Sequence, residues 1–555
     1  MRNWLHVAVG LLLIVAGGFL AYVIQTSGGV EVTDVRFDIG DEQQQAALLY
    51  RPPGATSDEP APAILATHGY INSRETQSGF AIEYARRGFV VLAIDQTGHG
   101  FSDGAAFSKG FGGPTGLAYL RSLPFVDPDR VGLEGHSMGG WTSLAAAAAM
   151  PHDYAGIALE GSSTGAPFAA PGTPQWPRNL AVVFSEYDEF APLMWEVGDA
   201  RAVEDSSKLQ SVFGIEERVE EGRIYGSLSD GTARWLATPA VTHPGDHISH
   251  DAIGAAVSWM DVAIGAPIDL PVSDQIWLWK EIGTLVALIG AMVLLIGVLG
   301  VLLDRGPLAA SVADRAERPG NPQAGKGAIV AAAVIPALTF YPFTLLGNLI
   351  ANVGLFPQNV TNQIMVWAVG NALIALALSF RDTWRGGFGR GVALALIGVA
   401  AVYGAVALSG VIFHTDMRFW VVALKPMAGH HWPILIAYIV PFTVFFFLSQ
   451  RVLLTRLLGG DRASVGYWPA IAVTVSGLVV LMAIAYAWLF AAGALPPLFD
   501  PLFTIVGLQF VPVLAMTAII AVFCFRRTVE VWPGALVSGL LVTWYIVAGQ
   551  ATHVW

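Results

Sequence analysis

The sequence predicts an α/β fold built on an eight-stranded, mostly parallel sheet, joined to an all-α multi-span transmembrane domain of about eight helices. Three observations carry that expectation. The 555 residues are 54% hydrophobic and only 13% charged, well below the roughly one-quarter charge of soluble domains, so part of the chain must sit in lipid. Charge is also unevenly placed: residues 31–270 hold 32 Asp and Glu against 14 Lys and Arg, whereas 271–555 hold 10 against 15. The hydropathy pattern changes near residues 30 and 270, which divides the chain into an apolar segment 1–29, an α/β domain 30–270 and a helical domain 271–555.

Trp4 to Ile24 forms an apolar run behind Arg2, about the twenty residues needed to cross roughly 30 Å of hydrocarbon. It is longer than the apolar region of a cleaved signal peptide, and TSGG is a loose match to a cleavage site, so it reads as an uncleaved anchor. Between residues 30 and 270, short β-rich runs alternate with helical ones, the pattern of a parallel sheet with crossover helices. The expected strands are EVTDVRF, AALLYRP, AILATHG, FVVLAID, RVGLEG, AGIALEG, LAVVFSEYD and RWLATPAV. Expected helices lie near Phe80–Arg87, Gly116–Leu123, Trp141–Met150, Leu193–Val203 and His250–Val262. Beyond Asp274, eight apolar segments follow: 276–303, 327–350, 361–380, 391–413, 432–449, 467–492, 502–525 and 534–552.

Basic residues in the short loops set the expected orientation. Arg305, Arg315, Arg318 and Lys326 share one loop, Arg381, Arg385 and Arg390 a second, Arg451, Arg456 and Arg462 a third, and Arg526 and Arg527 a fourth. The intervening loops contain Arg418 and Lys425. The basic loops are therefore expected in the cytoplasm of a multi-pass plasma-membrane protein, with the α/β domain on the extracytoplasmic side. The linker DRGPLAASVADRAERPGNPQAGKG reads as a mobile cytoplasmic loop.

Gly135-His136-Ser137-Met138-Gly139 fits G-x-S-x-G directly after an expected strand and before an expected helix. Small residues around Ser137 permit a sharp turn that raises its hydroxyl above the sheet edge, and the helix dipole behind it favours a developing oxyanion. The backbone N–H groups of Met138 and of Tyr70, in the loop after AILATHG, are the expected oxyanion donors. His68 reads as a residue that shapes that loop.

The domain resembles the α/β-hydrolase superfamily of serine esterases, lipases and related peptidases over about residues 31–268. The resemblance includes THGYINSRETQSGFAIEYARRGFVVLAIDQTGHGFSDG, in which Asp95, Gly98, His99, Gly100 and Ser102 match D-x-x-G-x-G-x-S. It implies that His99 is structural, that an acid and then a histidine follow the serine, and that the acid is Asp188, between Glu186 and Glu189. THPGDHISHD offers His243, His247 and His250. His243 directly follows RWLATPAV, at the strand end where α/β sites are built; His247 is the alternative base, and His250 falls in the first turn of the next helix, behind the N-cap candidate Ser249. Asp246 is a possible partner for one of these histidines. H-x3-H-x2-H lacks a recognisable metal frame, so neither metal nor cofactor is expected.

The expected chemistry is serine acyl transfer with His243 as base and Asp188 as its orienting acid. The expected partners are a small-molecule or lipid ester and the bilayer; an acidic domain excludes nucleic acid. Peptide and thioester bonds suit the same triad, and a non-catalytic ligand-binding domain on a transporter or scaffold is the alternative from another class. Cys524 is the single cysteine, so no intramolecular disulfide forms. In the helical region, Asn348, Asn352, Asn359, Asn362, Gln363 and Asn371 gather near the outer ends of two spans, and His414, Asp416, Arg418, Lys425, His430 and His431 crowd one loop. Interfacial packing accounts for both groups; the competing expectation is a groove, including Arg418, His430 and His431, that presents a lipid to Ser137.

Overall fold

A helix α1 (Arg2–Gln25) leads into β1 (Glu31–Asp38) and β2 (Gln44–Arg51), paired antiparallel from Glu31 opposite Arg51 to Asp38 opposite Gln44. Strands then alternate with helices: β3 (Ala61–Thr67), α2 (Ser78–Arg86), β4 (Val90–Ile94), α3 (Gly113–Ser122), β5 (Val126–His136), α4 (Met138–Ala149) and β6 (Gly156–Glu160). After these come β7 (Leu180–Val183), α5 (Ala191–Met194), α6 (Ser207–Phe213), β8 (Arg234–Ala237) and α7 (His250–Ile264). The structure, a computed structural model, describes residues 2–304, 308–309, 324–350, 352–379, 386–459 and 465–555. Most of the 304–327 linker, with Arg305, Arg315 and Arg318, and also Arg381, Arg385 and Arg462, lie outside the described residues.

The strands form one sheet in the order β1-β2-β4-β3-β5-β6-β7-β8. β2 runs antiparallel to β1 and β4, and every neighbouring pair from β4 through β8 is parallel. β3, β4, β6 and β7 are buried at every position, as expected for strands covered on both faces. One face packs Leu117 of α3 and Leu144 of α4 against Leu65, Leu92 and Leu133, and the other packs Phe80 of α2 and Trp259 of α7 against Ile64 and Val91. The expected helix at Leu193–Val203 is instead broken: α5 stops at Met194, Glu196 has a positive φ of 60°, and a 3₁₀ turn spans Ala200–Asp205. Side-chain caps drive the break. Asp199 accepts from the Arg201 amide and Ser206 from the Leu209 amide, which satisfies the backbone donors turn by turn.

The helical half comprises α8 (Trp277–Asp304), α9 (Lys326–Leu338), α10 (Phe340–Gly347), α11 (Asn359–Ser379), α12 (Phe388–Phe413), a hairpin β9 (Met417–Phe419) and β10 (Val422–Leu424), α13 (His431–Arg451), α14 (Tyr467–Ala492), α15 (Pro501–Thr528) and α16 (Trp532–Gly549). Among the described residues, eight helices including α1 are long and apolar enough to cross a membrane, or nine if α9 and α10 are one span. The expected apolar segment at 327–350 holds two helices that bend by 40° at the break between them. Pro336 lies inside α9 and Pro342 follows the break, so ladder donors are missing there. α1 packs along α8 through small residues: a Cβ on Gly17 would stand 2.4 Å from the Gly283 carbonyl oxygen, a contact distance only glycine permits between helices.

The Asn and Gln side chains of this half make internal contacts. Asn362 Nδ2 donates to Asn352 Oδ1 at 3.2 Å, Asn371 Nδ2 donates to Thr339 Oγ1 at 3.0 Å, and Gln358 Nε2 donates to the Val547 carbonyl at 3.0 Å. The hairpin and the C-terminal tail reach the sheet domain. Arg418 Nη1 donates to Thr76 Oγ1 at 2.7 Å, and Nη2 lies 2.5 Å from Asp416 and 3.8 Å from Glu75. Thr552 exchanges backbone hydrogen bonds with Gly98 and Ala106.

Candidate active site

β5 ends at His136 and α4 begins at Met138, so Ser137 alone makes the turn, at φ 57° and ψ −122°. A non-glycine residue there carries roughly 1–3 kcal/mol of strain. The surroundings hold it. The Ser137 amide donates to the Glu160 carbonyl at 2.8 Å, and Thr67 Oγ1 donates to the Gly139 carbonyl at 2.6 Å. A Cβ on Gly139 would lie 2.1 Å from the Thr67 carbonyl oxygen, so only glycine lets the helix start pass this close to β3. Met138 opens α4, and its N–H has no partner within the helix; Tyr70 follows β3, where the order of strands reverses and α/β crevices form. Both line the same pocket as Ser137.

Asp188 follows β7 and His243 follows β8. His243 Nδ1 donates to Asp188 Oδ2 at 2.8 Å, and the other carboxylate oxygen accepts from the Phe190 amide at 2.7 Å. Burial, and then the neighbouring His136, push the His243 imidazole well below its ordinary range, so it rests neutral, as a general base must. Burial and then Asp246 push the Asp188 carboxyl up, while the Phe190 amide pulls it down. The backbone of His243 is held as firmly as its ring: its amide donates to Glu189 Oε2 at 2.8 Å and its carbonyl accepts from His136 Nε2 at 2.9 Å.

The strand order, the strained serine elbow and the acid and histidine at successive strand ends together decide the architecture. The sheet domain has the α/β-hydrolase fold. The domain is of the serine-hydrolase type, and residues 41–189 match the profile of the X-Pro dipeptidyl-peptidase (S15) family. Residues of this chain are 34% identical over 122 positions to the quorum-quenching protein AidA of Acinetobacter baumannii, a match covering 21% of this chain and 39% of that one. A 90-residue stretch is 34% identical to a multifunctional-autoprocessing repeats-in-toxin of Vibrio cholerae, covering 16% of this chain and 2% of the toxin. The chain thus spans well under half the length of these relatives. Among solved structures, dienelactone hydrolase of Anabaena variabilis is 17% identical with a TM-score of 0.29, covering 42% of this chain and 99% of its own. The thioesterase domain of the curacin biosynthetic pathway is 15% identical with a TM-score of 0.28, covering 41% and 99%.

The pocket of this α/β-hydrolase domain has a volume of about 230 Å³ and includes Ser137, His243, His247, Trp141, Phe168 and Phe190. His247 is buried beside His136, ring centroids 4.2 Å apart, and neither of its ring nitrogens has a hydrogen-bond partner among the described residues. His250 is exposed at the start of α7, against Trp277. Asp246 accepts from Ser185 and lies 3.5 Å from His136, so the histidine it meets precedes the serine rather than following it. His68 braces the oxyanion loop: Nδ1 donates to the Gly69 carbonyl at 2.7 Å, Nε2 accepts from the Gln96 amide, and burial lowers its pKa to about 3.

The helical half supplies a wall that local sequence patterns do not announce. Val421, Leu502, Ile505 and Gln509 line the pocket, and Trp420 Nε1 donates to the Pro244 carbonyl at 2.5 Å, beside His243. Tyr486 of α14 donates to Glu189 Oε1 at 3.0 Å, and the Tyr70 hydroxyl lies 2.8 Å from His553 Nε2. The expected groove of Arg418, His430 and His431 is corrected here. None of the three lines the pocket, because Arg418 is engaged by Asp416 and Thr76 and the His431 ring accepts from the Ala428 amide.

Proposed function

We propose that this chain is a membrane-embedded serine hydrolase that cleaves an ester or related acyl bond through Ser137, His243 and Asp188. One observation carries the reading: His243 donates to Asp188 at 2.8 Å while its ring faces the pocket that holds the Ser137 elbow. His243 Nε2 takes the Ser137 proton as Oγ bonds to the acyl carbon, and the carbonyl electron pair moves onto oxygen. The Met138 and Tyr70 amides receive that oxyanion. Collapse breaks the bond to the leaving alcohol, which takes the proton from His243; water then repeats the sequence on the acyl-enzyme.

The chain is proposed to sit in the plasma membrane with the α/β-hydrolase domain outside. Supporting this, the domain packs on the helix ends that bear Arg418 and Thr552, while Arg390, Arg451, Arg526 and Arg527 belong to the opposite ends. Fluorophosphonate labelling of isolated membranes tests the nucleophile: a single label that disappears in Ser137→Ala is expected, and a label elsewhere, or none, overturns the assignment and favours a binding module. The S15 match motivates a second reading, cleavage after an Xaa-Pro dipeptide. Comparing Xaa-Pro-p-nitroanilide with p-nitrophenyl butyrate on the purified protein separates the two.

A further inference from the structure

The helical half contains an apolar cavity of about 630 Å³, walled by Leu288 and Met292 of α8, Met516 of α15, Leu541 of α16 and Val422 and Leu424 of β10. We propose that this cavity receives the acyl chain of the substrate, so that the protein takes long-chain esters directly from the bilayer; the proposal rests on Ser137 being the nucleophile.

Adjacency to the candidate active site along two shared elements is the basis. Leu502, Ile505 and Gln509 of α15 line the Ser137 pocket, and Pro512, Met516 and Ile519 of the same helix line the cavity. Their spacing, alternating steps of three and four residues, keeps all six on one face. From Ile505 to Ile519 the helix rises ~21 Å, more than the ~15 Å occupied by one leaflet of a hydrocarbon core about 30 Å thick. A second element makes the same connection, because Val421 lines the pocket and its neighbour Val422 lines the cavity.

The chemistry of the lining changes along this face as it changes along a lipid. Gln509, buried at 6% exposure, is the last polar residue of the α15 strip before Pro512, and beyond it the cavity meets only His6 and Tyr545 as polar side chains. An ester group at Ser137 would thus keep Gln509 on its side while its chain meets only His6 and Tyr545 as polar side chains. Ile289, on the cavity wall, is 48% exposed on α8, so in a bilayer a chain would enter sideways without crossing water. The Ser137 pocket alone, at about 230 Å³, is much the smaller of the two spaces.

The test uses the full-length protein in phospholipid nanodiscs, with p-nitrophenyl butyrate and p-nitrophenyl palmitate as probes. Met516→Trp and Leu288→Trp fill the cavity from two walls, and Ile484→Trp, on the exposed face of α14, is the control. The ratio of long-chain to short-chain kcat/KM is expected to fall by at least ~10-fold in each cavity variant, as pocket occlusion by a few methylene equivalents does, and to hold in the control. An unchanged ratio in a folded cavity variant overturns the proposal. A wild-type protein that labels with ethyl and hexadecyl fluorophosphonates at equal rates overturns it as well, without any variant. Absence of turnover on both esters, with Ser137 unlabelled, removes the nucleophile reading itself, and the proposal with it.

Discussion

The two halves of the chain bury their ionisable groups in different ways. In the sheet domain, carboxyl and imidazole groups are buried in its interior, with Glu134, Glu160, Asp188, Glu189, His68 and His243 at 4% exposure or less. In the helical half, the buried charges Lys280, Glu281, Asp416, Arg418 and Lys425 belong to the helix end and loop that meet the sheet domain, and Arg451 to the far end of α13; the buried polar side chains between these ends, Asn362, Gln363 and Asn371 among them, are uncharged. A sheet domain can bring many backbone donors to one buried carboxylate, as Phe190 does for Asp188 and His243 does for Glu189. A helix in lipid has already committed its donors to its own ladder, so a charge in its middle would stand alone. The lesson is that buried charge marks chemistry in one half and helix ends, most of them at the seam between halves, in the other.

The largest expected effect tests the chemical half. Ser137→Ala should lower ester turnover by at least ~10³-fold while its thermal melting midpoint stays close to wild type, measured on the same preparation. Next comes the choice between two histidines in one pocket. His243→Ala should lose turnover on the scale of the serine variant, and His247→Ala by no more than ~10-fold, since only His243 is bonded to Asp188. Comparable losses would break the assignment of roles inside the buried cluster.

A smaller effect sharpens the view of the seam. Arg418→Met leaves Asp416 buried without its cation, while Glu75 keeps Arg74, and should destabilise the protein by about 3–5 kcal/mol. Arg223→Met, which breaks the exposed pair with Glu220, should change stability by less than about 1 kcal/mol. Similar shifts for the two in denaturant titrations would contradict the difference drawn between seam and surface.

The smallest effect is one of pH. Burial raises Glu134 to about 7, and burial with Asp188 raises Glu189 to about 8. Each holds a proton in the folded protein that the unfolded chain releases near pH ~4.3, so their stabilisation is full below that pH and is lost as pH rises toward 7–8. The buried histidines work oppositely, with pKa values pushed down, and their stabilisation is complete above pH ~6.5. Between pH 6.5 and 8, only the carboxyls act, and stability should fall by roughly 1–2 kcal/mol. Glu189→Gln should flatten that slope in melting curves; an unchanged slope would show that Glu189 is already ionised.

Much of this was legible in the chain. The eight strands read correctly because a doubly covered strand is a short run of Val, Ile, Leu and Ala between turn residues, a property of adjacent positions. The serine elbow read correctly for the same reason, since Gly135 to Gly139 contains the whole turn. The 327–350 segment read as one apolar stretch, but its 40° bend was not legible, because hydropathy registers apolar character and is blind to the missing donors of Pro336 and Pro342.

What the sequence by itself determined is therefore local: which runs are strands, which are long apolar helices, and where the chain turns sharply around Ser137. Only the tertiary structure decided that His243 rather than His247 meets Asp188, that Arg418, His430 and His431 stand outside the pocket, and that Val421 and the Leu502 face of α15 form its far wall. The physical reason is separation along the chain. His243 is 55 residues from Asp188 and Leu502 is hundreds from Ser137, so their meeting depends on how the sheet and the bundle pack, which no window of neighbouring residues encodes.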